Sequence, residues 1–226
     1  MPSPATPDIV TALLDLHGRT YAAEIGFDPA RNTPSALFRL LCAALLFSAR
    51  ISSSIAVAAA KALAAQGWTT AEKLAASTWA ERAKTLNQAG YARYDEQTSR
   101  WLGETADLLL DHYSGDLRKL REKAERDPTR ERHLLTQFKG IGDVGADIFS
   151  REAQGAWEEL YPFADRRALD SARALGLGGD AETLSGLVDR QDFPRLVAAL
   201  VRSGLAHDAE RVRRAAGGAY QERMSN

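Results

Sequence analysis

Residues 35–49, SALFRLLCAALLFSA, are apolar on almost every face that a helix would present. A helix of that kind has no side suited to water and belongs at the centre of a domain. The rest of the chain must therefore supply partners to surround it, and the segments on offer are helical. IVTALLDL follows Asp8, with Pro7 near its start and Gly18 after it, and reads as a first helix. ISSSIAVAAAKALAAQG has Ser52–Ser54 available as an N-cap and stops at Gly67. TTAEKLAAS opens on Thr69 or Thr70 with Glu72 in its first turn, which resembles a capping signature, and WAERAKTLNQAG closes on Gly90. YDEQTSRWLGETADLLLDHYSG carries Trp101, Ala106, Leu108, Leu109 and Leu110 and reads as a longer amphipathic helix ending near Gly115. Residues 117–133 are dominated by charges of both signs and broken by Pro128, so a solvated surface segment is expected there. A helix is expected from about Asp165, and two or three more from AETLSGLVDR and FPRLVAALVRSGLAHDAERVRRAA. No segment alternates as a strand would. The expected fold class is all-α.

Composition excludes some functions and leaves others open. The chain has 226 residues, 29 basic and 30 acidic, for a net charge of -1. That balance does not advertise a nucleic-acid binder, but a basic face can hide inside a neutral total. Cys42 is the single cysteine, so neither a disulfide nor a cysteine-ligated cluster can form within the chain. His17, His112, His133 and His207 are widely separated, and no metal is expected. The N-terminus lacks a basic start followed by a long apolar run, and no apolar stretch reaches membrane-spanning length. The expectation is a cytoplasmic monomer with no membrane contact, nucleoid-associated if bacterial.

The segment with the most chemical content is LLTQFKGIGDVGADIF, residues 134–149. Leu134, Leu135 and Phe138 can bury one side of an incoming helix. Gly140-Ile141-Gly142 then makes a tight turn with Ile141 inward, and Gly145 allows close approach of the next helix. That helix would begin with unpaired amides at the positive end of its dipole, and both favour an anion such as phosphate. Read from the residues alone, a purely structural helix turn remains open.

The pattern is similar to the helix-hairpin-helix of the DNA glycosylase superfamily that includes endonuclease III, adenine glycosylase and the alkylpurine glycosylases. Three further stretches carry the resemblance. ALFRLLCAALLFSARISSS resembles the early core helix and damage-site loop. LNQAGYARYDEQTSRWLGETADLLLDHYSGDL resembles the glycine-aromatic turn and long helix before the hairpin. FADRRALDSARALGL resembles the segment bearing the catalytic aspartate. The resemblance implies a six-helix barrel domain over residues 33–158, containing the hairpin at 134–149. It implies a second helical domain formed by residues 1–32 and 159–226. It also implies lesion-containing double-stranded DNA as partner. Lys139, Gly140, Ile141, Gly142, Val144 and Gly145 become expected DNA contacts, with Arg50, Arg166 and Arg167 beside them.

On the residues alone, Asp165 is an N-cap. The resemblance aligns it with the carboxylate that faces the sugar of a flipped-out nucleotide, where it can stabilise positive charge and orient water. The two roles are compatible. Bifunctional members attack that carbon with a lysine four residues after the first hairpin glycine. Here that position is Val144, so the implied chemistry is hydrolysis, as in monofunctional glycosylases. Lys139 either contacts phosphate, stands in for the missing amine, or is plain surface. The family's four C-terminal cysteines are absent, so no iron–sulfur cluster is expected. Its damage-site glutamine is replaced by Arg50 in Ser48-Ala49-Arg50, which can fill the space left by the flipped base or be an ordinary helix-end arginine. Ser48, Glu152, Trp157 and Tyr161 are candidate pocket residues, Glu152 together with Glu158 and Glu159 in an insert over residues 150–163. The implied function is a monofunctional DNA base-excision glycosylase, and the other reading is a non-catalytic DNA-binding relative.

Overall fold

A computed structural model of the chain describes residues 5–224, and side chains as far as residue 217. Every regular element among these residues is a helix, as expected for an all-α chain. In chain order they are α1 (Thr6–His17), α2 (Tyr21–Ile25), α3 (Pro34–Phe47), α4 (Ser53–Ala65) and α5 (Ala71–Ala75). Then come α6 (Trp79–Gln88), α7 (Asp95–Tyr113), α8 (Leu117–Lys123), α9 (Pro128–Leu135) and α10 (Asp143–Ala153). The last are α11 (Arg166–Leu175), α12 (Ala181–Ser185), α13 (Phe193–Ala206) and α14 (Ala209–Met224). None of the helices is long and apolar enough to cross a membrane.

The chain divides into two compact units, one of residues 21–160 and one of residues 1–20 with 161–226. The central unit is built around α3. Leu37, Leu41, Ala44 and Leu46 on that helix are completely buried, so its several faces are all occupied by neighbours. The local signals around it act as the sequence suggests. Ser52 caps α4 by accepting from the Ile55 amide, and Thr70 caps α5 by accepting from the Lys73 amide. The full capping box falls one helix later, where Thr78 and Glu81 satisfy each other's backbone at the start of α6. The buried Arg82 then ties three helices together. Its Nε donates to Ser99 O at 3.0 Å, and its Nη1 donates to Ser77 O at 2.6 Å and Leu74 O at 3.3 Å.

Residues 117–133 are not a solvated surface segment. They form α8 and most of α9, and Leu117 and Leu120 are fully buried in the central core. Two leucines at i,i+3 spacing suffice to anchor a short helix whose other positions are charged. Residues 21–32 also pack with the central unit. Glu152 explains part of this: its buried carboxylate accepts from the Tyr21 amide at 2.8 Å and the Ala22 amide at 2.9 Å, satisfying the start of α2.

In the unit formed by the two termini, α1, α11, α13 and α14 enclose a second core. Leu13, Phe193, Leu196, Val197, Leu200 and Val212 are fully buried there. Helices α11 and α13 cross closely at Gly204, where a Cβ would lie 2.2 Å from Ser171 Oγ. A polar clasp joins α1 to the α13–α14 turn: His17 Nε2 lies 2.9 Å from Asp208 Oδ2, and Ser203 Oγ donates to Asp208 Oδ1 at 2.8 Å. Burial acts to raise the Asp208 pKa, but these two partners outweigh it and hold the carboxyl below its ordinary range.

Candidate functional site

Helices α9 and α10 form a hairpin across the turn at residues 136–142. Leu135, Phe138 and Ile141 are buried, and the Ile141 amide donates to Phe138 O at 3.0 Å to close the turn. The hairpin's glycines have different reasons to be there. Gly140 has φ +84°, a left-handed conformation, and a Cβ on it would sit 2.6 Å from Trp101 Cε3. Gly145 lies where α10 meets the end of α3, and a Cβ there would be 2.8 Å from Ser48 Oγ. Gly142 has neither constraint: its φ is -97°, and nothing lies within 4 Å of the position a Cβ would take.

Gly142 is the N-cap residue of α10, and no side chain caps that helix. The first turn thus presents amides with no side-chain acceptor, in open space, at the positive end of an eleven-residue helix. Chemically this is a place for an anion. Lys139 is exposed just before it, and Val144, 55% exposed, stands on its surface with no polar atom to offer. Across the turn, Arg132 of α9 donates to Asp147 Oδ1 at 2.5 Å and to Asp143 Oδ1 at 3.1 Å.

Beside the hairpin is a cavity of about 430 Å³ lined by residues from separate segments. The end of α3 and the loop after it give Leu45, Ser48, Ala49 and Arg50. The start of α7 and the turn before it give Tyr91, Tyr94, Gln97, Thr98 and Trp101, and the hairpin gives Gly140. Tyr91 forms the floor, with its hydroxyl donating to Leu46 O at 2.9 Å. Burial pushes the Tyr91 phenol up to about 12, so it stays neutral and serves the fold. Ser48 Oγ is likewise engaged, donating to Ala44 O at 2.7 Å, whereas Arg50 is exposed at the rim. The size and aromatic walls suit a flat ring such as a nucleobase.

The fold thus brings Ser48, Arg50 and Gly140 together, and it adds Gln97 and Thr98, which nothing in the local sequence singles out. Two other candidate pocket residues are committed to the core. Trp157 is fully buried, edge-on to Phe149 at 5.3 Å, with its Nε1 donating to Asn32 Oδ1 at 3.3 Å. Glu152 is buried on the amides that start α2. Neither lines this cavity. Glu159 is paired with Arg121 through two contacts of 2.6 Å, and Glu158 is exposed.

Behind the hairpin, next to that ion pair, α9 buries Glu131 with only 1% of its surface exposed. Its carboxyl lies against that of Glu159, which can accept a hydrogen bond only from the protonated acid. Burial first, and then the adjacent Glu159, raises the Glu131 pKa far above the ordinary carboxylate range. Glu159 moves the other way: burial would raise it, but Arg121 and Glu131 together bring it down.

In the unit of the termini, Asp165 is 7% exposed and is the N-cap of α11, its Oδ1 accepting from the Ala168 amide at 3.0 Å. Arg166 and Arg167 follow it, both exposed, and Arg166 Nε lies 3.7 Å from Asp170 Oδ2. Tyr161 packs edge-on to Phe193 at 5.3 Å, with the Arg190 guanidinium 4.5 Å above its ring. Among the described residues no group of three or more His, Cys, Asp or Glu side chains could hold a metal ion.

No protein-family model matches the chain, and no curated protein matches it. Two solved structures resemble it. A trapped covalent intermediate of endonuclease III with DNA, an estranged-adenine complex, is 18% identical, with TM-score 0.49 over 74% of this chain and 73% of that one. A non-covalent endonuclease III–DNA complex is 16% identical, with TM-score 0.56 over 96% of this chain and 95% of that one. At low sequence identity, the chain has an all-α fold like that of endonuclease III.

Proposed function

We propose that the protein is a monofunctional DNA base-excision glycosylase that hydrolyses the N-glycosidic bond of a damaged or mismatched base. The observation that carries this reading is the open, uncapped first turn of α10 after Gly140-Ile141-Gly142. On this reading the amides of that turn and Lys139 hold a backbone phosphate, fixing the duplex without reading its sequence. The unit around α3 serves as the family's six-helix barrel, with the unit of the termini as its companion domain. Arg50 enters the space vacated by a flipped nucleotide. Asp165 supplies the negative charge that stabilises a developing oxocarbenium ion and orients the attacking water. Its cap bond to the Ala168 amide occupies Oδ1 and fixes the carboxylate's orientation.

Val144 decides which chemistry follows. An exposed isopropyl group cannot form a Schiff base, so base loss leaves an intact abasic strand. The test is incubation with duplexes carrying uracil, oxidised guanine, mismatched adenine, hypoxanthine or alkylated purines, with and without alkali. The expected result is strand breakage only after alkali on at least one lesion. Breakage without alkali contradicts the hydrolytic assignment. Duplex binding with no base release across the panel favours the non-catalytic relative, a reading supported by the absence of the amine at Val144.

A further inference from the structure

The charges on the hairpin cancel. Arg132 Nη1 donates to Asp147 Oδ1 at 2.5 Å, and its Nη2 donates to both Asp143 O and Asp143 Oδ1 at 3.1 Å. Asp143 is the first residue of α10, and its side chain is 87% exposed. A carboxylate in the first turn stabilises a helix, which accounts for Asp143 as far as the fold alone is concerned. At a surface that meets phosphates it is also a fixed negative charge beside the open amides. Lys139 and Arg132 balance Asp143 and Asp147 to zero, and loss of Arg132 would leave this surface acidic.

We infer that Asp143 is a brake on the protein's binding to duplex DNA, and that Arg132 is a positioning residue that sets the strength of the brake. Arg132 draws the Asp143 carboxylate toward α9 and shares its charge, which leaves the first-turn amides of α10 free for a phosphate. The inference rests on the DNA-binding reading above. It concerns how tightly undamaged backbone is held and leaves the chemical step aside.

The experiment is equilibrium binding to an undamaged duplex over a range of salt. The proteins are the wild type, Arg132→Ala, Asp143→Asn and the double variant, with thermal melting of each. Asp143→Asn should bind about five-fold more tightly at low salt, as expected for removing one charge a few ångströms from a phosphate. That gain should shrink as salt rises. Arg132→Ala should bind less tightly than wild type, and the double variant should regain most of the loss. A purely structural Arg132 gives a double variant as weak as Arg132→Ala, which would overturn the inference. So would an Asp143→Asn affinity equal to wild type, and because that side chain is exposed this arm stands even if Arg132→Ala fails to fold. A wild type that binds no duplex at any salt sinks the DNA-binding reading and the inference with it. Wild-type binding unaffected by Asp143→Asn sinks the inference alone.

Discussion

At the scale of single residues, the most consequential side chains are those whose surroundings oppose their ordinary chemistry. Glu131 is a carboxyl buried against Glu159, to which only its protonated form can donate a hydrogen bond. It is cheaper to hold as a neutral acid than as an anion. Its pKa in the folded state is raised to about 9, whereas in the unfolded chain it titrates as an ordinary glutamate. Between those values the native state binds the extra proton, so stability falls as pH rises through that window. Glu131→Gln keeps the shape and removes the proton linkage. Thermal melts between pH 5 and 9 should show wild type losing stability with pH while Glu131→Gln stays flatter, the gap reaching about 2 kcal/mol or more at the alkaline end. Parallel curves would contradict the assignment. None of this was legible in the sequence, where a glutamate among charges reads as exposed. Asp165 was legible as a cap, because aspartate before a helical pattern has a local reason to be there.

At the scale of elements, the hairpin separates what the fold needs from what a ligand needs. Gly140 is required by its backbone, since φ +84° and the nearby Trp101 ring both oppose a side chain. Gly140→Ala should lower stability by about 1–3 kcal/mol, measured by chemical denaturation. Gly142 has an ordinary φ and open space around it. Gly142→Ala should therefore cost less than about 1 kcal/mol yet weaken duplex binding, because the new methyl group lies against the uncapped turn. Equal loss of stability at both positions, or undiminished binding in Gly142→Ala, would contradict this division. Helix ends were mostly readable because they depend on nearby residues: Ser52 at the start of α4, and Ser114 and Gly115, both at positive φ, after α7. Helix α8 was hidden because only Leu117 and Leu120 among its charges report the core. The cavity beside the hairpin was only partly legible. Ser48 and Arg50 stand out by their motif, but Gln97 and Thr98 reach it through the packing of distant segments.

At the scale of the whole molecule, a chain of net charge -1 is proposed to hold a polyanion. This is consistent only if contact depends on a few local groups, Lys139, Arg50 and backbone amides, rather than on a broad basic field. The fold resembles that of endonuclease III at 16% identity, which leaves the chemistry to be argued from individual residues. On the proposed reading, water is the nucleophile and Asp165 the carboxylate that assists it. The most direct measurement is the single-turnover rate of base release by wild type and Asp165→Asn, at saturating protein, on whichever lesion the panel identifies. Asp165→Asn should bind the lesion duplex as wild type does and release the base about 100-fold more slowly or worse. Equal rates at saturation would contradict the proposed role of Asp165 and the mechanism built on it.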